Sequence, residues 1–177
     1  MIQEVFERIA RHALTDWGVL LQGVDSIPGL LGKLPTSYVE NYANAELEKL
    51  AGDSPLLDVI VSLANVSDLS LSELCPQLQK ICDFQNVDMQ RASRIWRAAA
   101  LEKLLANLDT EPLYGLINLS EFWSIWEWPA DAPLSMIPGT MTLPQHKYHS
   151  DSNYEHVIHE HAQWLKEELA ALICSKP

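Results

Sequence analysis

Positive charge is scarce in this chain. Twelve Lys and Arg stand against twenty-four Asp and Glu, a formal net charge of −12. Such a field repels phosphate backbones and disfavours direct binding to nucleic acid. Glycine is sparse too, at seven residues, and neither GxxxxGK[ST] nor GxGxxG occurs. The backbone cradles that grip nucleotide phosphates are therefore missing. No GxSxG elbow supports nucleophilic catalysis, and nothing around the cysteines matches a Cys–His signature. Cys75, Cys82 and Cys174 are odd in number and form no CxxC pair. Reduced thiols in a cytosolic protein are the economical expectation. Cys75 precedes Pro76 near a helix start, where the dipole can lower a thiol pKa, although a buried inert thiol is the commoner outcome. No apolar run approaches the ~20 residues that cross a bilayer. The segment "MIQEVFERIARHAL" alternates charged with apolar residues and reads as a mature helix, not a secretion signal.

What is present is enough apolar material for a core: 47% of 177 residues. A chain of this length buries about 70% of its unfolded surface, and one compact domain over residues 1–177 is the simplest organisation. Apolar residues recur at helical spacing throughout. Ile2, Val5, Phe6, Ile9 and Ala13 form one face. Thr15 is placed to cap a second helix through Trp17, Leu20, Leu21 and Val24. Thr36 or Ser37 opens a third that runs to Leu50, with Gly52 as its C′ stop. Ser54–Pro55 starts "LLDVIVSLA", apolar nearly all round and so expected at the centre of the core. Capping-box spacing joins Ser70 to Glu73, Asn118 to Glu121 and Ser152 to Glu155. Asp88 is placed to cap a long helix from about Met89 to Leu108. A histidine-containing helix runs from about 153 to 174. "PGTMTL" is the one weak strand candidate. The expected fold is all-α, with about seven or eight helices.

"EFWSIWEWPADAP", Glu121 to Pro133, holds three of the six tryptophans. Helical spacing puts Phe122, Ile125 and Trp126 on one buried face, with Trp123 to the side. Trp128 precedes Pro129, which ends the helix and leaves its ring beside Glu127 and Asp131. It is either a packed ring that seals the turn or an exposed anchor of the kind found in interfaces.

"LTDWGVLLQGV", the helical middle and the aromatic helix ending in "WPADAPLSMIP" resemble a family of small all-helical bacterial proteins over about residues 10 to 140. That family has no established activity, and its members are often encoded near polymorphic or contact-dependent toxin systems. The resemblance implies an immunity role and supplies no catalytic residue.

Five of six histidines fall in one window: His146, His149, His156, His159 and His161. His156 with Glu160, and Glu155 with His159, stand four apart, as metal ligands on one helix face can. The spacing is neither HExxH nor Glu-x-x-His, so solvated Glu–His pairs are the plainer expectation. Arg91, Arg94 and Arg97 recur every third residue of the long helix, with Lys103 beyond. Intramolecular pairing or solvation suits this ridge better than an anion site in an acidic chain.

These observations point to a cytoplasmic binding protein, with no cofactor, metal or catalytic residue. Its partner would be a cognate toxin domain, a basic nuclease above all, occluded by an acidic surface. The expected contacts are Glu121, Glu127, Trp128 and Asp131, with Asp109 and Glu111 as a second acidic turn. The alternatives are a metal-dependent helical enzyme using the C-terminal His/Glu cluster, a chaperone or adaptor for a secreted effector, and a charge that serves only solubility.

Overall fold

The computed structural model describes residues 1–66, 70–136 and 144–175. Its regular elements are helical: α1 (Ile2–Arg11), α2 (Trp17–Asp25), α3 (Thr36–Leu47), α4 (Leu57–Leu63), α5 (Leu71–Gln85), α6 (Met89–Ala106), α7 (Pro112–Ile125), a 3-10 turn (Leu134–Met136), α8 (Gln145–Tyr148) and α9 (Asp151–Cys174). The protein is all-α, and α8 is only a single turn. "PGTMTL", residues 138–143, lies outside the described residues, as do the side chains of Gln145 and His146.

The chain divides into two compact units, residues 1–96 and 97–177, and the boundary falls inside α6. In the first unit α2 packs on α3 and α5, and α4 packs on α3 and α5. Asp16 does two jobs there. Its Oδ1 accepts the Val19 N–H at 2.9 Å and caps α2, one residue after the expected Thr15. Its Oδ2 pairs with Arg91 Nη1 at 2.9 Å and ties the start of α6 to that cap. The fully buried Trp96 donates its indole N–H to the Val19 carbonyl at 3.0 Å, so this core tryptophan leaves no buried donor unmet. A Cβ on Gly23 would lie 2.8 Å from the Trp96 ring, so the ring's seat depends on the missing side chain.

Local capping chemistry forms the helix starts. Ser70 and Glu73 make the expected capping box at α5, and Asp88 Oδ1 accepts from Gln90 and Arg91 N–H at the start of α6. Two other expected boxes are not used. Asn118 and Glu121 sit mid-helix, because α7 begins with Pro112 at its first turn, after Glu111. Ser152 lies inside α9, which starts at Asp151 and is capped by Ser150 Oγ accepting from Asn153 N–H. At the other end of the chain, α3 stops at Leu47 and does not reach Leu50 or Gly52.

The centre of the core was misplaced by composition. Helix α4 is short and buries only Ile60 and Leu63, with Val61 43% exposed. The stretch buried all round lies in the middle of α6, where every residue from Ile95 to Leu101 is buried. Three consecutive alanines, Ala98 to Ala100, keep that stretch slim enough for close packing.

The second unit holds the rest of α6, α7, the 3-10 turn, α8 and α9, with α7 against α9. Gly115 makes that approach possible. A Cβ there would fall 1.9 Å from the Tyr154 hydroxyl oxygen and 2.3 Å from Tyr154 Cζ. Tyr154 is fixed in turn, because its hydroxyl donates to the Asp109 carbonyl. Gly115→Ala should therefore lower stability by roughly 2 kcal/mol or more, although alanine favours a helix by about 1 kcal/mol. Urea unfolding tests this: combining Gly115→Ala with Tyr154→Ala should cost clearly less than the sum of the single changes.

Candidate functional site

Helix α7 carries its buried face on Gly115, Leu116, Leu119 and Trp123. The expected face was one position out: Trp123 is fully buried and Ile125 is 47% exposed. The helix ends in a Schellman motif, with the Trp128 N–H on the Trp123 carbonyl at 2.9 Å and the Glu127 N–H on the Ser124 carbonyl at 3.1 Å. The residue at C′ in this motif is usually glycine. Here Glu127 has φ +59° and Trp128 follows at φ +49°, two consecutive residues in the left-handed region. Trp128 is half-buried in this turn and Glu127 is exposed.

The outward face of α7 is apolar. Leu113, Tyr114, Ile117 and Ile125 are 37–56% exposed. Tyr114, Ile117, Glu121 and Ile125 follow each other at intervals of three or four residues and so form one stripe. Glu121 is exposed within it, and Glu111 is exposed at its N-terminal end. Asp109 precedes the helix, where its Oδ1 accepts the Glu111 N–H at 2.8 Å. Five of the six expected contact residues thus belong to α7 and its two flanking turns. The sixth, Asp131, is tied inward to Arg97.

Arg97 is the centre of a buried polar cluster. Its side chain is 8% exposed, with Nη2 2.5 Å from Asp131 and 3.7 Å from the equally buried Glu168. The guanidinium lies over Trp123 and Trp164, 5.9 and 5.3 Å from the ring centroids. Trp164 meets Trp123 edge-on at 5.2 Å and donates its N–H to the Asp131 carbonyl. Arg91 pairs with Asp16, so the arginine ridge works inside the molecule at both positions.

His161, on α9, is fully buried against Trp123. The indole N–H can only donate, so His161 Nε2 accepts it at 2.9 Å; Nδ1 then carries the proton and donates to the Val157 carbonyl at 2.7 Å. This is the neutral imidazole. Burial pushes its pKa below the ordinary 6.5, against smaller upward pulls from the Val157 bond and Glu160. Sequence reading counted His161 among a cluster and missed its role. The signal was its register with Val157 and Leu165 on the buried face of α9. The histidines that had been weighed as ligands, His156 and His159, are exposed with Glu155, and His149 is exposed against Tyr148. Among the described residues no three His, Cys, Asp or Glu side chains gather in a way that could hold a metal ion. Cys82 is buried, and burial with Asp16 and Asp83 nearby pushes its thiol up to about 12; all three cysteines are free. A thiol so disfavoured as thiolate is a poor nucleophile.

Beside the cluster, the exposed side of α9 and the segment Ala132–Leu134 enclose an open groove of about 390 Å³. Glu160, Trp164 and Glu167 line it from the helix, with His156, His159 and Gln163. The Ser135 N–H reaches Glu160 Oε1 at 3.4 Å and joins the two walls.

The described surface thus carries an exposed apolar stripe edged by carboxylates and a groove lined by tryptophan and carboxylates. The chain belongs to the bacterial family described as "uncharacterized protein conserved in bacteria (DUF2247)", whose model matches residues 6–169. The match takes in the histidine-bearing helix, beyond the residues that carried the resemblance. No curated protein and no solved structure matches the chain. No helix among the described residues is long and apolar enough to cross a membrane.

Two outcomes follow from the buried cluster. Arg97→Met removes the buried cation that faces Asp131 and Glu168 and should cost roughly 3–5 kcal/mol in chemical denaturation, part of it recovered by adding Glu168→Leu. His161 has a folded pKa below its unfolded value. Its contribution is therefore complete above pH 6.5 and is lost as pH falls through 6.5 toward the lowered folded value. Denaturation midpoints across that window should fall in the parent chain and fall less in His161→Gln, which has no titrating group there.

Proposed function

We propose that this chain is a binding protein for a cationic protein domain, in the manner of an immunity protein that covers a basic toxin domain such as a nuclease. The observation that carries the proposal is the α7 surface: an exposed apolar stripe, Tyr114, Ile117 and Ile125, with Glu121 inside it and Glu111 and Glu127 at its ends. Apolar anchors ringed by charge of one sign suit a partner of the opposite sign. The net charge of −12 supplies long-range attraction. Arg91 and Arg97, which would oppose it, are buried in ion pairs.

The mechanism is occlusion. Carboxylates steer a basic cleft onto the helix and set the association rate, and the desolvated Ile and Tyr side chains slow release. The resemblance to a toxin-linked family supports this reading. Trp128 stands at the end of the stripe in a turn that fixes its backbone.

The test is to sequence the gene neighbourhood and to follow co-purification with, and calorimetric titration of, any basic toxin domain encoded there; a neighbourhood without one counts against the proposal. Ile117→Lys combined with Glu121→Lys should weaken binding by more than about tenfold, as loss of a central anchor does. Raised salt should slow association more than it speeds release. A neighbouring basic domain that fails to bind, or that binds the double variant equally well, overturns the proposal.

A further inference from the structure

We propose that the groove beside Trp164 receives an arginine side chain of the partner. The inference rests on the binding-protein reading and names one of its contacts. The groove is open and about 390 Å³, room for one long side chain. Its walls are of two kinds. Ala132, Pro133 and Leu134 offer aliphatic surface, which suits the methylene stem of a long basic side chain. Trp164 stands between Glu160 and Glu167 on α9, four residues from one and three from the other, so both carboxylates flank its ring.

Three contacts lock Trp164: its N–H on the Asp131 carbonyl, its edge on Trp123 and the Arg97 guanidinium over it. A rigid aromatic wall loses little entropy when a planar cation stacks on it. The carboxylates are positioned as well. Glu167 Oε1 accepts from Gln163 Nε2, and Glu160 Oε1 accepts from Ser135 N–H. Glu160 Oε2 is buried and has no hydrogen-bond partner. A cation in the groove relieves that cost through the field alone, without touching the atom. None of the lining residues is Lys or Arg. Arginine fits better than lysine, because its planar guanidinium both stacks on an indole and bonds carboxylates in a fixed geometry.

The experiment titrates N-acetyl-arginine amide into the full-length chain and follows the indole N–H signal of Trp164 by NMR, assigned through Trp164→Phe. The neutral isostere N-acetyl-citrulline amide is the control. A saturable shift is expected with arginine, about tenfold weaker with citrulline and about tenfold weaker with arginine in Glu160→Gln/Glu167→Gln. Both substitutions lie on the exposed or half-exposed side of α9, and circular dichroism confirms that the helix is retained. No saturable shift, equal shifts with citrulline, or undiminished binding by the double variant overturns the inference. A silent groove in a chain that still captures its basic partner removes this contact and leaves the binding-protein reading standing. Arginine binding without partner capture does the reverse.

Discussion

Arg97 is the interaction on which the second unit depends. It is a cation inside a helical core, and removing it from water costs several kcal/mol unless its surroundings repay that loss. Asp131 and Glu168 supply the charge, and Trp123 and Trp164 supply two ring faces. These four residues come from α7, the segment after it and α9, so one guanidinium fixes three parts of the chain in register. Trp123 is also the donor that sets the tautomer of His161. Arg97, Trp123, Trp164 and His161 therefore form one polar network inside an apolar core. Its directional contacts fix the register of α7, the segment after it and α9.

The surface follows from this interior. Trp164 is held from within, and its outer side becomes the floor of the groove. Asp131 is bound by Arg97 and so anchors the chain that forms the opposite wall. Helix α7 turns Trp123 and Leu119 inward, which leaves Tyr114, Ile117 and Ile125 outward. The apolar stripe is thus the far side of a helix whose inner side is fully occupied. That outward apolar surface is what the proposed binding reading rests on. In this chain it is edged with acid.

The all-helical fold was legible because helix starts are written locally. Ser70 with Glu73, and Asp88 before Met89, are decided by chemistry within four residues. Where the deciding contact is distant, sequence reading failed. Helix α4 looked central because it is apolar, yet it is too short to be enclosed. The arginines of helix α6 were expected to pair inside the molecule or to lie solvated, and Arg91 and Arg97 do pair, but their partners, acids 75 and 34 residues away, could not be named. The same limit applied to the site. Glu111, Glu121 and Glu127 could be singled out by charge and turn position, and they lie exposed on α7 and in its flanking turns. The groove could not be seen, because its walls meet only once α9 folds beside Pro133. Trp123 and Ile125 exchanged places because a one-residue shift in the face that α7 buries is invisible to periodicity alone.

The turn after α7 has a further consequence. A left-handed residue other than glycine costs roughly 1–2 kcal/mol, and Glu127 and Trp128 adopt that conformation in succession. A glycine at Glu127 would relax the backbone and would also free the direction in which Trp128 leaves the helix. One residue, Glu127, thus sets both the strain of this turn and the path by which Trp128 leaves the helix.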